Sequence, residues 1–456
     1  MFAPSAAART ETRALLREAR PLVLTNLGNM TLGLVDVAVV GRLGEREIAA
    51  AGLGNTLFFN IALFGAGVLF ALDPLIAQAL GAREGHHAAK HALSGVALAL
   101  LLALPLALLM LVVAEWVPPV SVDAPTAAAT FEFVIARMSS LLPFLLTLAV
   151  RGYLQAHGKS RSLMLGVLVA NVINLPAAIA LVHGVPAIGL PALGLTGAGL
   201  ASGIASVVQF AITAAPLPRM LAEDLGRAPT WADIDRARMG KVMRLGTPLG
   251  LQITLEAGSF WFVTLVIGTF GNTALAAHHI ALTAVSTTFQ VALGIGGATA
   301  VRVGRAIGHE TGSESSRVRA RRAGLLGIGI GAGSMALGAL VFALFPEAIG
   351  RAMTSQPDVV AAAIPFFLVA ACFQLSDGTQ TVAQAALRGA GDTTWPLILN
   401  FGGHYLIGIP VGWLLARTMG LGPVGLWWGL SAGLTAVALL LLLRFARLSS
   451  RPIVRA

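Results

Sequence analysis

Long apolar runs alternate with short polar segments along the whole chain. A helix of roughly twenty apolar residues, at about 1.5 Å rise per residue, crosses the hydrocarbon core of a bilayer. The runs therefore predict an all-α integral membrane protein with twelve transmembrane helices. The predicted spans are 21–43, 48–80, 92–114, 127–150, 162–183, 188–215, 246–270, 275–302, 323–345, 361–387, 396–416 and 421–444.

The composition agrees with a membrane environment. Of the 456 residues, 56% are hydrophobic and only 11% are charged, whereas about a quarter of the residues of a soluble domain are charged. Twelve spans leave no room for a sizeable soluble domain. The single cysteine, Cys372, lies in an apolar run and can form no intrachain disulfide. Residues 1–20 are polar and lack an apolar signal core, so no cleaved signal peptide is predicted.

The positive charge follows the predicted topology. The net charge is +10, yet the basic residues lie at intervals between apolar runs, so the chain is not expected to bind nucleic acid. Of the 31 Lys and Arg residues, 26 lie on the side of the membrane that holds both termini. By the positive-inside rule both termini are cytoplasmic, as in a multi-pass protein of the bacterial cytoplasmic membrane. The other side has Arg42, Arg46, Arg351 and Arg417, and Arg137 lies within the fourth span.

The second half of the chain repeats the first. Residues 248–312 echo residues 21–85 at a constant displacement of 227, with pairs such as Pro21 and Pro248 or Gly41 and Gly268. A repeat of six helices keeps its orientation in the membrane, so it predicts two six-helix lobes related by a pseudo-two-fold axis along the membrane normal. The predicted lobes are 1–228 and 229–456.

Two carboxylates of the second lobe lie deep in predicted spans. Glu256 is ten residues beyond Gly246, and Asp377 is eleven residues before Arg388, which places both roughly 15 Å from the cytoplasmic face. A charge at this depth costs roughly 2.5–3.5 kcal/mol on insertion scales and therefore needs a partner or a function. We expect Glu256 and Asp377 to form a proton- or cation-binding pair that could hold Na⁺. The alternative is a structural hydrogen-bonding role.

Three further charged residues lie in spans of the first lobe. Asp36 is either an ion-coupling residue or an interfacial aspartate, and Asp73, beside a proline, either relays ions or stabilises a helix kink. Arg137 is expected to neutralise either Glu132 or Asp36.

Several segments resemble the multidrug and toxic compound extrusion (MATE) family. The first three are PLVLTNLGNMTLGLVDVAVVGRLG, ALDPLIAQALGA and LAAHHIALTAVSTTFQVALGIGGATAVRVGRAIG, which are similar to the first, second and eighth helices of the family. The stretch ALRGAGDTTWP is similar to its loop after helix ten. The resemblance covers essentially the whole chain and implies two lobes around a cleft.

The resemblance also implies roles for individual residues. Asp36, Glu256 and Asp377 match the acidic residues of helices one, seven and ten in the NorM-like branch. Phe289 stands where some relatives have an aromatic ring that faces a bound cation, although a packing role is an equal alternative.

The first-lobe cation site of the family is matched only in part. Asn174 and Ser202 fit its polar positions, and Asp73 could extend this polar cavity. Ala178 stands where the family has Asn or Asp, so sodium binding in this lobe is not assured.

The predicted protein is a secondary active antiporter, not an enzyme, that exports cationic or amphipathic drugs and metabolites in exchange for Na⁺ or H⁺. Its expected partners are these small molecules and membrane lipid, its only cofactor is the coupling ion, and it is expected to be a monomer. A lipid-linked precursor flippase of the wider superfamily is the closer alternative. A remote one is an intramembrane hydrolase using the GLSAG segment, Gly429 to Gly433, with His404.

Overall fold

The computed structural model describes residues 6–456, with side chains from residue 9 onward except those of residues 37 and 121. The described residues contain twelve helices that are long and apolar enough to cross a membrane, which confirms the predicted fold class. They are α1 (Ala6–Val40), α2 (Glu45–Gly81), α3 (Gly85–Val120), α4 (Ala124–Ala156), α5 (Arg161–His183), α6 (Gly194–Leu225), α7 (Arg236–Gly268), α8 (Asn272–His309), α9 (Glu314–Leu344), α10 (Pro357–Gly389), α11 (Thr394–Thr418) and α12 (Gly422–Leu448).

Several of these helices are locally interrupted. The break in α2 separates Glu45–Phe70 from Leu72–Gly81, and it precedes Pro74, which has no N–H to bond the carbonyl of Phe70. A 3₁₀ turn, Met138–Ser140, divides α4, and π-helical turns at Gly402–Gly408 and Leu414–Thr418 widen α11. Shorter breaks follow Trp116 in α3 and Ala214 in α6. Outside the long helices lie the turns Pro186–Ile188 and Trp231–Asp233 and the short helix Pro346–Met353.

The observed helices extend beyond the predicted spans, mostly at polar ends. For example, α9 begins at Glu314 and α7 at Arg236, because helical hydrogen bonding continues past the apolar window that hydropathy detects. Span six was predicted from residue 188, but α6 begins at Gly194. The apolar residues before it belong to a connecting segment. Gly189 in that segment and Gly194 at the start of α6 have positive φ angles of 73° and 54°.

The structure separates into two compact units. The N-terminal unit is Leu24–Gly250, and its buried apolar core includes Val40, Phe133 and Ala198. The C-terminal unit contains Leu251–Ala456 and the described residues up to Val23. A cluster around Phe366 and Trp427 forms its core.

This grouping differs from the predicted division at residue 228, because each unit includes the first turns of a helix from the other half of the sequence. Gly246 lies directly against the backbone of Val68, so the start of α7 belongs to the N-terminal unit. Likewise, a Cβ added to Gly294 of α8 would lie 2.7 Å from the backbone nitrogen of Val23, so the start of α1 belongs to the C-terminal unit.

The segment before α7 is held by an ion pair. Arg227 donates to both carboxylate oxygens of Asp233, at 2.6 and 2.9 Å, and the backbone N–H of Thr230 donates to Asp233 Oδ2 at 2.8 Å. The Arg227 guanidinium holds the pKa of the Asp233 carboxyl well below its usual range. The linker is therefore a fixed turn where it enters α7.

Candidate functional site

Asp36 of α1 lies at the centre of a buried polar cluster in the N-terminal unit. Its side chain is 0% exposed. Oδ1 accepts a hydrogen bond from Asn174 Nδ2 of α5 at 3.2 Å, and Oδ2 accepts one from Ser202 Oγ of α6 at 2.5 Å. Nη1 of Arg137, on α4, lies 3.4 Å from Oδ2. We call these four residues the Asp36 cluster.

Arg137 is buried, like the carboxylate with which it pairs. Its side chain is 7% exposed, and its guanidinium carbon lies 5.0 Å from the ring centre of Phe58 and 5.7 Å from that of Phe59, both on α2. A cation over an aromatic face is attracted by the negative potential of the ring. Glu132, the other predicted partner of Arg137, instead accepts a hydrogen bond from Thr196. The structure thus pairs Arg137 with Asp36.

Helix packing explains how the Asp36 cluster is brought together. A Cβ atom on Gly199 of α6 would lie 2.6 Å from the Cβ of Ala136 and 2.8 Å from the backbone nitrogen of Arg137 on α4. Small residues allow this approach of two membrane helices. Since Gly199 lies three residues before Ser202, this contact sets the register between the hydroxyl on α6 and the guanidinium on α4.

The two remaining predictions for the first lobe have different outcomes. Ala178 is completely buried one turn beyond Asn174, and there it contributes a methyl group to the apolar core. Asp73 is not among the contacts of the Asp36 cluster. Its Oδ1 lies beside Gly152 of α4, about 20 Å along that helix from Arg137. Of the three residues predicted to line a polar cavity, Asn174 and Ser202 contact Asp36 and Asp73 does not.

Glu256 and Asp377 are brought close to each other in the C-terminal unit. Gln380 lies one turn beyond Asp377 on α10 and donates from Nε2 to Glu256 Oε1 of α7 at 2.8 Å. The same Nε2 lies 3.4 Å from Asn400 Oδ1 of α11. The Asp377 and Glu256 carboxylates are near enough to interact electrostatically. These four residues form the Glu256 cluster.

The two clusters differ in what offsets the negative charge. Asp377 is only 6% exposed, yet it makes no hydrogen bond or ion pair within residues 9–456. No Lys, Arg or His of that stretch forms an ion pair with Glu256 either. Two carboxylates near enough to interact, with no cation paired to either among the described residues, attract a small positive ion. The Glu256 cluster is therefore the stronger candidate ion site of the two.

Phe289 lies near this cluster along α8. The preceding residue, Thr288, accepts a hydrogen bond at 2.8 Å from Gln374, which lies one turn before Asp377 on α10. The ring is half-buried and has no aromatic or cation–π partner within the described part of the chain. Its role facing a bound cation stays a prediction.

His404 was considered from sequence only as the partner of a hydrolase serine. It lies in a π-helical turn of α11, is 1% exposed, and has its ring centre 6.2 Å from that of Phe260, one turn beyond Glu256. In the described structure neither ring nitrogen has a hydrogen-bond partner, and no bond joins His404 to Ser431. π-helical turns are frequent at functional sites. The sequence feature that marks this one is the pair Gly402 and Gly403 directly before His404, within an apolar span.

The GLSAG segment of α12 has a packing function in the structure. A Cβ on Gly433 would lie 2.6 Å from the carbonyl oxygen of Gly403 on α11, and Gly429 lies directly against the backbone of Gly412. The spacing of small residues is thus explained by close approach of two helices.

Comparisons with known proteins agree with this arrangement. The MatE family model matches residues 21–180 and 248–414. The chain is 36% identical over 455 residues to the probable multidrug resistance protein NorM of Deinococcus radiodurans, covering 97% of each chain. It is also 36% identical to the multidrug resistance protein NorM of Burkholderia vietnamiensis, covering 94% of this chain and 92% of the relative.

Solved structures share the fold. A eukaryotic MATE transporter, AtDTX14, superposes with a TM-score of 0.86 at 22% identity, covering 97% of this chain and 98% of the other. A multidrug resistance MATE family transporter in an outward-facing conformation superposes with a TM-score of 0.85 at 20% identity, covering 96% of each chain. The family model matches most of the sequence, the NorM relatives match it almost end to end, and the fold is the two-lobe fold of the solved transporters. This multi-pass membrane protein belongs to the MATE family.

Proposed function

We propose that the protein is a secondary active antiporter that exports cationic or amphipathic small molecules in exchange for Na⁺ or H⁺. The observation that carries this proposal is the pair formed by the half-buried Glu256 and the buried Asp377, which has no cationic partner among the described residues. The printed names of the relatives, multidrug resistance proteins, support the substrate class. The positive-inside charge pattern supports cytoplasmic termini in a bacterial cytoplasmic membrane.

The exchange follows from competition for the same negative charge. A proton or sodium ion bound to Glu256 and Asp377 offsets their charge and disfavours a cationic substrate nearby, whereas loss of that ion restores the attraction. A ligand shifts a conformational equilibrium only by its difference in affinity between the two states. Each ligand would therefore stabilise a different arrangement of the transporter, so that inward movement of one drives outward movement of the other.

The driving force is sufficient for useful export. A membrane potential of about 100 mV is worth about 2.3 kcal/mol for each elementary charge that moves inward. This free energy corresponds to roughly a fifty-fold concentration ratio when one net positive charge moves inward. That takes one inward cation for each neutral substrate and two for each singly charged cationic substrate. The neutral amide of Gln380 donates to the Glu256 carboxylate and is itself positioned by Asn400, so neither amide supplies a competing charge. The site is therefore free to take up and release a cation.

The proposal is tested with purified protein in liposomes, where sodium and proton gradients are imposed separately and efflux of a cationic dye is followed. Glu256→Gln and Asp377→Asn should each lower ion-driven efflux at least about ten-fold, because each removes a charge that the ion must offset. Glu347→Gln is the matched control, since Glu347 is exposed on a short helix and, among the described residues, forms an ion pair only with Arg351. Wild-type efflux by both cluster variants would exclude the pair from the mechanism.

A further inference from the structure

The two units hold their buried aspartates in opposite electrostatic states. Asp36 has a guanidinium, an amide and a hydroxyl against its two oxygens. Asp377 has none of these within the described residues. If both carboxylates bound the coupling ion, both would need to be free of resident cations.

We propose that Arg137 is a built-in cation that occupies the place of a coupling ion at Asp36. On the function proposed above, the N-terminal unit then takes up no ion during transport, and ion exchange is confined to Glu256 and Asp377. Arg137 thus determines which carboxylates exchange ions.

The chemistry of arginine keeps this positive charge beside Asp36. A guanidinium stays protonated in proteins, so the positive charge beside Asp36 does not leave with a change of pH. Its aromatic contacts with Phe58 and Phe59 hold it in place from the side of α2. Asp36 and Arg137 together are neutral, and an added sodium ion would give this buried cluster a net positive charge, which is costly inside a membrane.

The ligands of the Asp36 cluster also fit a guanidinium better than a metal ion. Hard cations take several oxygen ligands. Ala178, one turn beyond Asn174 on α5, is packed in the apolar core and supplies a methyl group rather than an oxygen. Ser202 and Asn174 both point hydrogen-bond donors at the carboxylate. A carboxylate that accepts two hydrogen bonds and pairs with a fixed cation has little remaining attraction for a mobile ion.

Removing the charge of Arg137 should therefore create an ion site. Arg137→Met leaves Asp36 as an unpaired buried carboxylate, while the flexible methionine side chain can still pack against Phe58 and Phe59. The matched control is Arg137→Lys, which retains the cation. In the double variant Asp36→Asn with Arg137→Met no charge remains, and the new amide can donate to Asn174 Oδ1, which has no hydrogen-bond partner among the described residues.

The first measurement counts ions on purified protein in lipid nanodiscs, with radioactive Na⁺ alone as the probe and proton uptake from weak buffer measured in parallel. Arg137→Met should bind about one more cation, Na⁺ or H⁺, than the wild type. Arg137→Lys and the double variant should bind the wild-type number. If Arg137→Met gains neither ion while remaining monodisperse, the proposal is overturned.

The second measurement is dye efflux driven by the ion gradient that powers the wild type. The double variant should retain transport within about three-fold, whereas Asp36→Asn alone, which strands the guanidinium, should lose at least about ten-fold. Loss of ion-driven transport in a well-folded double variant would show that Asp36 itself exchanges ions. Failure of the wild type to transport with either gradient would contradict the proposed function instead, and the ion count would still stand on its own.

Discussion

His278 shows how a buried polar side chain is satisfied in this membrane protein. It is 0% exposed, and its Nδ1 accepts a hydrogen bond from Trp427 Nε1 at 2.9 Å. The proton on this neutral ring therefore lies on Nε2, which donates to Thr264 Oγ1 at 2.8 Å. Thr264 in turn donates to the carbonyl oxygen of Phe260 at 2.9 Å. In the sequence His278 stands near the start of the predicted span 275–302, and the chain of hydrogen bonds shows that its side chain lies in the core.

Breaking this chain should lower stability. Trp427→Phe removes the indole donor and leaves Nδ1 of His278 buried without a partner, which costs roughly 1–3 kcal/mol. The next residue offers a matched control, because Trp428 is 40% exposed and Trp428→Phe should change stability by less than about 0.5 kcal/mol. Thermal unfolding of both variants in detergent tests the difference. Equal melting temperatures for the two variants would exclude a stabilising role for the Trp427 hydrogen bond.

Individual helices are positioned by glycines that lie against a neighbouring backbone. Gly433 of α12 and Gly333 of α9 are both helical, but only Gly433 has a close neighbour, because no atom lies within 4 Å of a Cβ placed on Gly333. Gly433→Ala should force α12 away from α11, at a cost of about 1–3 kcal/mol. Gly333→Ala should be neutral or stabilise the protein by up to about 1 kcal/mol, since alanine favours a helix. Thermal unfolding of the two variants measures the difference, and equal changes in their melting temperatures would contradict the packing role of Gly433.

The helices were predictable from sequence because the bilayer allows few alternatives. A span must satisfy its own backbone hydrogen bonds, so an apolar run of sufficient length becomes a helix. The interruptions were less predictable. The α2 break follows from Pro74, but the π-helical turns of α11 depend on how Gly403 and Gly408 pack against α12. Depth along a helix predicted that Glu256 and Asp377 share a level, whereas the pairing of Arg137 with Asp36 rather than Glu132 required the relative rotation of α1, α4 and α6.

On the scale of the whole molecule, the start of α1 is held in the C-terminal unit by charge. Arg302 of α8 donates to both carboxylate oxygens of Glu11, at 2.5 and 2.7 Å, and to Glu18 at 3.1 Å. Arg305 adds a contact of 3.3 Å to Glu18. These side chains are only partly exposed, so salt screens them less than it screens surface pairs. In the sequence, Glu11 and Glu18 belong to the polar segment before the first span, and nothing there indicates that they pair with α8.

The double variant Glu11→Gln with Glu18→Gln should release this segment, because it removes both carboxylates that pair with Arg302 and the contact of Arg305 with Glu18. Hydrogen bonds between charged groups contribute roughly 1.5–3 kcal/mol, so amide hydrogens of the first turns of α1 should exchange roughly ten- to a hundred-fold faster. Hydrogen–deuterium exchange read by mass spectrometry on peptides covering residues 9–23 makes the measurement.

Glu115→Gln is the control, because Glu115 is exposed on α3. Exchange in α3 should stay at its wild-type rate in the double variant, since Glu11 and Glu18 contact only α8 in these ion pairs. Unchanged exchange at residues 9–23 would mean that apolar contacts such as that between Val23 and Gly294, rather than the ion pairs, hold this segment in the C-terminal unit.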